Sequence, residues 1–344
     1  MRKSHLFRGF SAAALTTLTA GSLIACSTDS ADNGENANAS GNGDDATTQV
    51  VTSTSVWADV ADEVLDDAEI EALITDPGQN PHHFEPAATD IATALEADLV
   101  VVGGGGYDAW LYEPIMEDAG EENIIHPLPL ISHDHAHGHD HDHEHGEEGH
   151  EHDHEHGEEG HDHDHEHGHD HAHGDVHSVE GNEHIWFDVD AITQVAEDLA
   201  AKEEDADATA VVEQMDELRE RLSNLPEATV AQTETIGDYL IDDSSLTDVT
   251  PTGYRQATLN HSEPAAADLA AFLEAIESGE VDILLYNPQT ATDLTERIHG
   301  AAEENDVQIV TIGELPPEGT EFLDYFEEVV SELEDAAENV SSEQ

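Results

Sequence analysis

A 45-residue segment rich in histidine and acid divides this chain and limits which parts of it can enter a folded core. Residues 133–177 contain 19 His, 16 Asp or Glu and 7 Gly. The unit Asp-His-Glu-His-Gly-Glu-Glu-Gly-His starts at Asp142 and again at Asp153, and Asp164 starts a truncated third copy, which gives a period of 11 residues. No copy carries an apolar face that could stack on its neighbour. We therefore predict a disordered insertion between two folded blocks.

The two flanking blocks, 49–132 and 178–344, alternate short β-rich runs with helical patterns. This alternation predicts an α/β fold with two lobes, each a small parallel sheet flanked by helices. One of the helical patterns covers Trp110–Ala119. Another covers 191–225, which contains no Gly or Pro and repeats apolar residues at helical spacing. We predict one long connecting helix there, with an interruption around Asp205–Asp207 left open.

The N-terminus resembles a bacterial lipoprotein signal peptide. Arg2, Lys3 and Arg8 form a basic start, Phe10–Ile24 is apolar or small, and Cys26 follows directly after Ala25. The stretch is too short for a comfortable membrane span. The resemblance implies cleavage before Cys26 and lipidation of that residue, which would hold the chain at the outer face of the cell membrane. An ordinary signal peptide with an incidental cysteine is the alternative.

These features divide the chain into five parts. Ser27–Thr48 has almost no large apolar side chain and is expected to be a flexible tether. The predicted order is a signal peptide (1–25), the tether (26–48), an N-terminal lobe (49–190) that contains the insertion, the connecting helix (191–225) and a C-terminal lobe (226–344).

Charge and motif content exclude several classes of function. The formal net charge is −73, so phosphate backbones would repel the chain and nucleic acid is not an expected partner. Cys26 is the only cysteine, which excludes a disulfide framework and a Cys-based zinc knuckle. No His-Glu-x-x-His helix and no Ser or Cys nucleophile beside a base is present, and we expect no enzyme activity.

Two histidine motifs and two glutamates outside the insertion predict a metal site. His82 and His83 follow the second predicted strand, and His184 precedes the connecting helix. Glu234 and Glu314 each follow a predicted strand of the second block. Carboxyl ends of parallel strands collect ligands, so a cleft between the lobes could bring these side chains together. Two imidazoles and two carboxylates suit Zn²⁺ or Mn²⁺. Asp188, His261 and Glu263 are substitutes for a weaker member of the set.

The sequence resembles the substrate-binding proteins of bacterial zinc and manganese ABC transporters. The motifs that carry the resemblance are Gly78-Gln79-Asn80-Pro81-His82-His83-Phe84-Glu85-Pro86, Gly106-Tyr107-Asp108-Ala109-Trp110-Leu111, Glu183-His184-Ile185-Trp186, the segment Thr233–Leu240, Glu263-Pro264 and Tyr286-Asn287-Pro288-Gln289. The resemblance implies two α/β lobes joined by a rigid helix. It also implies that the metal ligands are His82, His184, Glu234 and Glu314, with His82 chosen over His83.

The choice of metal depends on two opposing features. Many zinc-specific members of this family carry His where this chain has Glu234, whereas manganese members carry Glu. The His-rich insertion is typical of the zinc members, and imidazole suits Zn²⁺ better than Mn²⁺. We expect the insertion to hold further zinc ions weakly through His133, His135, His137, His139, His141, His143, His145, His150, His152, His154, His156, His161, His163, His165, His167, His169, His171, His173 and His177.

The sequence therefore predicts a monomeric, lipid-anchored receptor outside the cytoplasm. It is expected to capture Zn²⁺ and to deliver the ion to an ABC permease in the cell membrane. A Mn²⁺ or Fe²⁺ receptor of the same family is one alternative. A surface zinc buffer or adhesin, with the His-rich segment as its active part, is the other.

Overall fold

The computed structural model of this chain describes residues 47–79, 81–131 and 181–343, and for His82 and Glu343 it describes the backbone alone. The predicted signal peptide, the lipidation at Cys26 and the insertion 133–177 lie outside the described residues. No described helix combines the length and apolar character that a membrane crossing requires.

The N-terminal lobe is a four-stranded parallel sheet in the order β2-β1-β3-β4. Its strands are β1 (Thr48–Thr54), β2 (Ala68–Ile74), β3 (Leu99–Val101) and β4 (Ile124–Ile125). Its helices are α1 (Ser55–Val64), α2 (Ala88–Glu96), α3 (Ala109–Tyr112) and α4 (Met116–Ala119). Strand β3 is buried on both faces, which explains its uninterrupted apolar sequence.

Two helices, α5 (Val189–Lys202) and α6 (Thr209–Ser223), follow the second histidine motif, where we predicted one connecting helix over 191–225. Residues 203–208 break the helix, and the Asp207 side chain accepts the backbone N–H of Thr209 at the start of α6. The break allows α6 to fold back onto α5, so that Arg219 near the end of α6 pairs with Asp190 near the start of α5. The connection is therefore an antiparallel helical hairpin.

The C-terminal lobe repeats the topology of the first, with a parallel sheet in the order β6-β5-β7-β8. Its strands are β5 (Ala228–Gln232), β6 (Leu246–Asp248), β7 (Ile283–Tyr286) and β8 (Gln308–Thr311). Its helices are α7 (Asp238–Asp242), α8 (Thr252–Leu259), α9 (Ala266–Glu277) and α10 (Asp293–Glu304), and the chain ends in α11 (Phe322–Glu343).

Two local predictions differ from the structure. The helix predicted over Trp110–Ala119 is divided into α3 and α4 around Pro114, which lacks a backbone N–H and is disfavoured inside a helix. Helix α8 was not predicted. Tyr254 is its only fully buried side chain, so its sequence shows no repeating apolar pattern that would indicate a helix.

The largest hydrophobic cluster contains side chains from both sheets. Trp57 of α1, Val230 of β5 and Phe326 of α11 belong to it, together with the buried faces of α5 and α6. Helix α11 packs on α1 of the first lobe and on β8 of the second. The two lobes are thus held by a shared core behind the strand ends that carry the candidate site.

Candidate metal centre

Both sheets reverse strand order at their first strand, and this topology positions the site. Strand β1 lies between β2 and β3, and strand β5 lies between β6 and β7. In open parallel sheets, ligands bind at the carboxyl ends of the strands beside such a switch point. Tyr107 lies in the loop after β3, Glu234 lies two residues after β5, and Asn287 directly follows β7.

The loop after β3 contains a glycine run, Gly103–Gly106, that permits an unusually close turn. Gly104 and Gly105 have positive φ values of 81° and 59°. A Cβ atom on Gly104 would lie 2.1 Å from the carbonyl oxygen of Leu128. Glycine is required here, because a side chain would collide with Leu128 at a backbone angle that other residues rarely adopt. The turn directs Tyr107 toward the second lobe.

His184 is buried at the start of a 3₁₀ turn, Ile185–Phe187, with 3% of its surface exposed. Its Nδ1 lies 2.7 Å from Oδ1 of Asn182. The other ring nitrogen, Nε2, lies 3.9 Å from Oε1 of Glu234 in the opposite lobe. Two tetrahedral zinc ligands at ordinary bond lengths are about 3.3 Å apart, so a small approach of these two atoms would suit a shared ion.

Glu234 is held by uncharged donors. Its Oε2 accepts hydrogen bonds from Asn287 Nδ2 at 2.6 Å and from the Thr290 hydroxyl at 2.5 Å. The side chain is 15% exposed, so it is mostly withdrawn from water. These bonds orient the carboxylate without neutralising it, and Oε1 is the oxygen nearest His184.

Glu314 joins the same region through Tyr107. The Tyr107 hydroxyl donates to Glu314 Oε2 at 2.9 Å, and Glu314 is 1% exposed. The Tyr107 ring also lies against His184 and Trp186, with centroid separations of 6.1 and 5.0 Å. Burial, followed by the charge of Glu314, raises the pKa of Tyr107 well above its ordinary value. The phenol therefore stays protonated and remains a hydrogen-bond donor.

His82 and His83 lie in a 3₁₀ turn, Pro81–His83, after β2. The His82 side chain lies outside the described residues, so its role as a ligand stays a prediction. His83 is exposed and lines a cavity of about 790 Å³ that also contains Glu234, His261 and Glu263.

The structure thus brings His184 and Glu234 together directly and connects Glu314 to them through Tyr107. Among the described side chains, which do not include that of His82, no three His, Cys, Asp or Glu are grouped closely enough to hold a metal ion. Asp188 has another role, since its side chain accepts the backbone N–H groups of Asp190 and Ala191 and caps α5.

Sequence reasoning missed the residues that hold the candidate ligands. Asn182, Asn287 and Thr290 were not proposed, although Asn182 stands two positions before His184 and Asn287 lies in a motif of the resemblance. Tyr107 also lies in such a motif, but its contact with Glu314 spans 207 positions in the chain and could not be read from spacing.

Comparison with known proteins agrees with this architecture. The model of the ZnuA family, described as zinc-uptake complex component A periplasmic, matches residues 50–336. The manganese-binding lipoprotein MntA of Halalkalibacterium halodurans is 28% identical over 83 residues, which is 24% of this chain and 27% of that protein. The match therefore spans about a quarter of that relative.

Two solved structures have the same fold at low sequence identity. A crystal structure of ZnuA matches with a TM-score of 0.56 at 15% identity, covering 85% of this chain and 98% of that chain. The periplasmic zinc-binding protein TroA of Treponema pallidum matches with a TM-score of 0.56 at 15% identity, covering 85% and 99%. The predicted two-lobe α/β fold is confirmed. The chain belongs to the ZnuA family of metal-binding solute-binding proteins, which are extracytoplasmic substrate-binding components of transporters and not enzymes.

Proposed function

We propose that this protein captures Zn²⁺ with high affinity outside the cytoplasm and delivers it to an ABC permease. The observation that carries the proposal is the approach of His184 Nε2 in one lobe to Glu234 Oε1 in the other, 3.9 Å apart and mostly buried. An imidazole and a carboxylate facing each other in a water-poor cleft are a natural pair of ligands for a divalent cation. In this proposal His82 and Glu314 complete the set.

Zinc is proposed over manganese because of the His-rich segment. The segment contains 19 histidines, and imidazole is a better ligand for Zn²⁺ than for Mn²⁺. Four protein ligands would close the coordination shell, so the ion would be carried rather than used to activate water.

Manganese is the second candidate, and a specific feature favours it. Glu234 and Glu314 supply hard oxygen ligands, which suit Mn²⁺. The relative MntA, which matches 24% of this chain, is named as a manganese-binding lipoprotein. Delivery to the permease from a lipid anchor at Cys26, by a monomer, belongs to both versions of the proposal.

The test is a competition titration on the mature chain after its metal has been removed by a chelator. We expect one tight zinc site per chain, with Mn²⁺ displaced by Zn²⁺, and we expect His184→Ala to abolish that site. His299→Ala is the matched control, because His299 lies on α10 and contacts Tyr286. Tight Mn²⁺ binding that Zn²⁺ fails to displace would establish the second candidate. Tight zinc binding by His184→Ala would remove His184 from the site.

A further inference from the structure

Asn182 lies two residues before His184, and its side chain amide makes four hydrogen bonds. The residue is 2% exposed. Its Oδ1 accepts the backbone N–H of His184 at 3.0 Å and lies 2.7 Å from His184 Nδ1. Its Nδ2 donates to the carbonyl oxygen of Thr235 at 2.5 Å and to Asp238 Oδ2 at 2.8 Å. The hydrogen-bonding capacity of the amide is therefore used completely.

These four partners fix the orientation of the amide. The backbone N–H of His184 can only donate, so the atom that it meets must be the oxygen of Asn182. A carbonyl oxygen and a carboxylate can only accept, so the atom that meets Thr235 and Asp238 must be the nitrogen. It follows that Nδ1 of His184 carries a hydrogen, so in the neutral ring the lone pair is on Nε2. Nε2 is the nitrogen that faces Glu234.

The C-terminal lobe holds Asn182 firmly. Arg255 of α8 donates to both oxygens of Asp238, at 2.7 and 2.9 Å, and Gln232 Nε2 donates to Asp238 Oδ1 at 2.8 Å. Asp238 is 4% exposed, and charge-assisted bidentate bonds of this kind are strong. The Tyr239 hydroxyl also donates to the backbone carbonyl of Asn182 at 2.6 Å. Residue 182 is thus fixed at its backbone and at its side chain.

We propose that Asn182 is a positioning residue that connects the metal-facing imidazole of His184 to the Arg255–Asp238 pair of the opposite lobe. The amide selects the tautomer of His184 and sets the angle of its ring. Because the same amide is bonded to the second lobe, separation of the lobes at this point would release the imidazole from its fixed orientation. The proposal rests on the proposed function only in taking His184 as a metal ligand.

The experiment uses the mature chain with ¹⁵N-labelled histidine, and it reads both the His184 ring nitrogens and the zinc affinity. His184→Ala assigns the His184 signals by their loss. In the metal-free protein we expect two separate ring ¹⁵N signals for His184, one protonated and one not. Asn182→Ala should replace them with averaged signals and should weaken zinc binding about 10- to 100-fold, the usual effect of removing a partner of a ligating histidine.

Asn305→Ala, at an exposed position after α10, controls for the loss of an amide.

Two results would overturn the inference. One is an Asn182→Ala variant whose His184 ring signals are unchanged, even if its affinity falls, because the role would then be structural only. The other is an Asn305→Ala variant that loses the ring signals as Asn182→Ala does, because the effect would then not be specific to position 182. Both readings come from the metal-free protein, so they judge Asn182 even if His184→Ala shows that the metal binds elsewhere.

Discussion

At the scale of single residues, the candidate site is a set of acidic oxygens oriented by neutral donors. Asn287 and Thr290 hold one oxygen of Glu234, and Tyr107 holds one oxygen of Glu314. Such donors fix geometry but leave the negative charge in place. Two buried carboxylates in the same region repel each other, and a divalent cation would offset that repulsion. The site is therefore suited to binding a cation and to releasing it when the oxygens move apart.

Substitution of the two adjacent histidines tests which of them is a ligand. His82→Ala should weaken zinc binding at least about 100-fold, because loss of a direct ligand exceeds the effect of losing an outer partner. His83→Ala, one position away in the same 3₁₀ turn, should leave the affinity within about threefold. Isothermal titration calorimetry measures the zinc affinity of both variants. A large loss of affinity in His83→Ala, with little change in His82→Ala, would assign the ligand to His83.

Glu234→His should shift the metal preference toward zinc. The change replaces a hard oxygen with an imidazole nitrogen at the position nearest His184 Nε2. We expect the ratio of zinc to manganese affinity to rise at least about tenfold. Glu263→His, which lies in the wall of the same cavity, is the control. If Glu234→His leaves the ratio unchanged, as the control is expected to do, Glu234 does not contact the ion.

At the scale of secondary structure elements, loops and helix ends determine where the ligands stand. The turn at Gly103–Gly106 sets the position of Tyr107, and Glu183 Oε1 accepts the backbone N–H of Gly106 at 2.6 Å. Gln289 Oε1 accepts the backbone N–H groups of Glu314 and Leu315, which fixes the segment after β8. The ligands thus lie on irregular segments that are tied to regular elements by specific hydrogen bonds.

Gly104→Ala should destabilise the fold and weaken metal binding. The added Cβ would lie 2.1 Å from the Leu128 carbonyl oxygen at a φ of +81°. We expect a loss of at least about 2 kcal/mol in the free energy of unfolding. Gly279→Ala separates backbone strain from steric overlap, because Gly279 has a φ of +74° with no atom within 4 Å of the added Cβ. Equal losses in urea denaturation would show that steric contact with Leu128 is unimportant.

Asp59→Asn should change how stability depends on pH. Asp59 of α1 accepts the backbone N–H of Phe322 at the start of α11, at 2.6 Å. Burial, the largest cause, raises the pKa of Asp59 from 3.8 to about 7, and the hydrogen bond from Phe322 opposes this only in part. The folded state therefore favours the protonated carboxyl, so this contribution to stability is complete below about pH 4 and is lost as the pH rises through about 7.

The asparagine variant keeps an acceptor for Phe322 and has no proton to lose. We expect the free energy of unfolding of Asp59→Asn, relative to that of the original protein, to increase between pH 4 and pH 7. Chemical denaturation at several pH values measures this difference. A difference that stays constant with pH would contradict the raised pKa.

At the scale of the whole molecule, the two lobes share one core and a common C-terminal helix. Side chains of both sheets belong to the largest hydrophobic cluster, and α11 contacts α1 as well as β8. A large rotation of one lobe would expose part of this cluster, which is costly. We therefore expect metal release to involve local movement at the strand ends, where Asn182, Tyr107 and Glu234 meet the opposite lobe.

Deletion of residues 133–177 tests whether the tight zinc site lies in the folded lobes or in the His-rich segment. The high-affinity site should keep its zinc affinity within about threefold, because none of its proposed ligands lies in the segment. The number of weakly bound zinc ions should fall, and uptake by cells should slow only when zinc is scarce, the regime in which local concentration matters. Equilibrium dialysis and uptake assays measure these quantities. Loss of the tight site would assign metal capture to the segment itself.

The sequence alone determined the α/β architecture and most of its elements. Local patterns carry that information. Leu99–Val102 is a short β-rich run that predicts a strand, and the alternation of strands and helices predicts parallel sheets whose carboxyl ends hold the site. The pairing of His184 with Glu234 could be proposed because Glu234 follows a predicted strand and His184 precedes a predicted helix. The break at 203–208 was harder to place, since it depends on α6 packing back onto α5.

Only the tertiary structure decided how the site residues are held. The Tyr107 hydroxyl meets Glu314 across 207 positions, and the Asn182 amide meets Asp238 across 56. Contacts at such separations arise from the way two sheets pack, and no spacing in the sequence encodes them. The burial of these side chains also depends on the tertiary structure. Tyr107 and Asp238 are surrounded by neighbours that come together only when both lobes have folded.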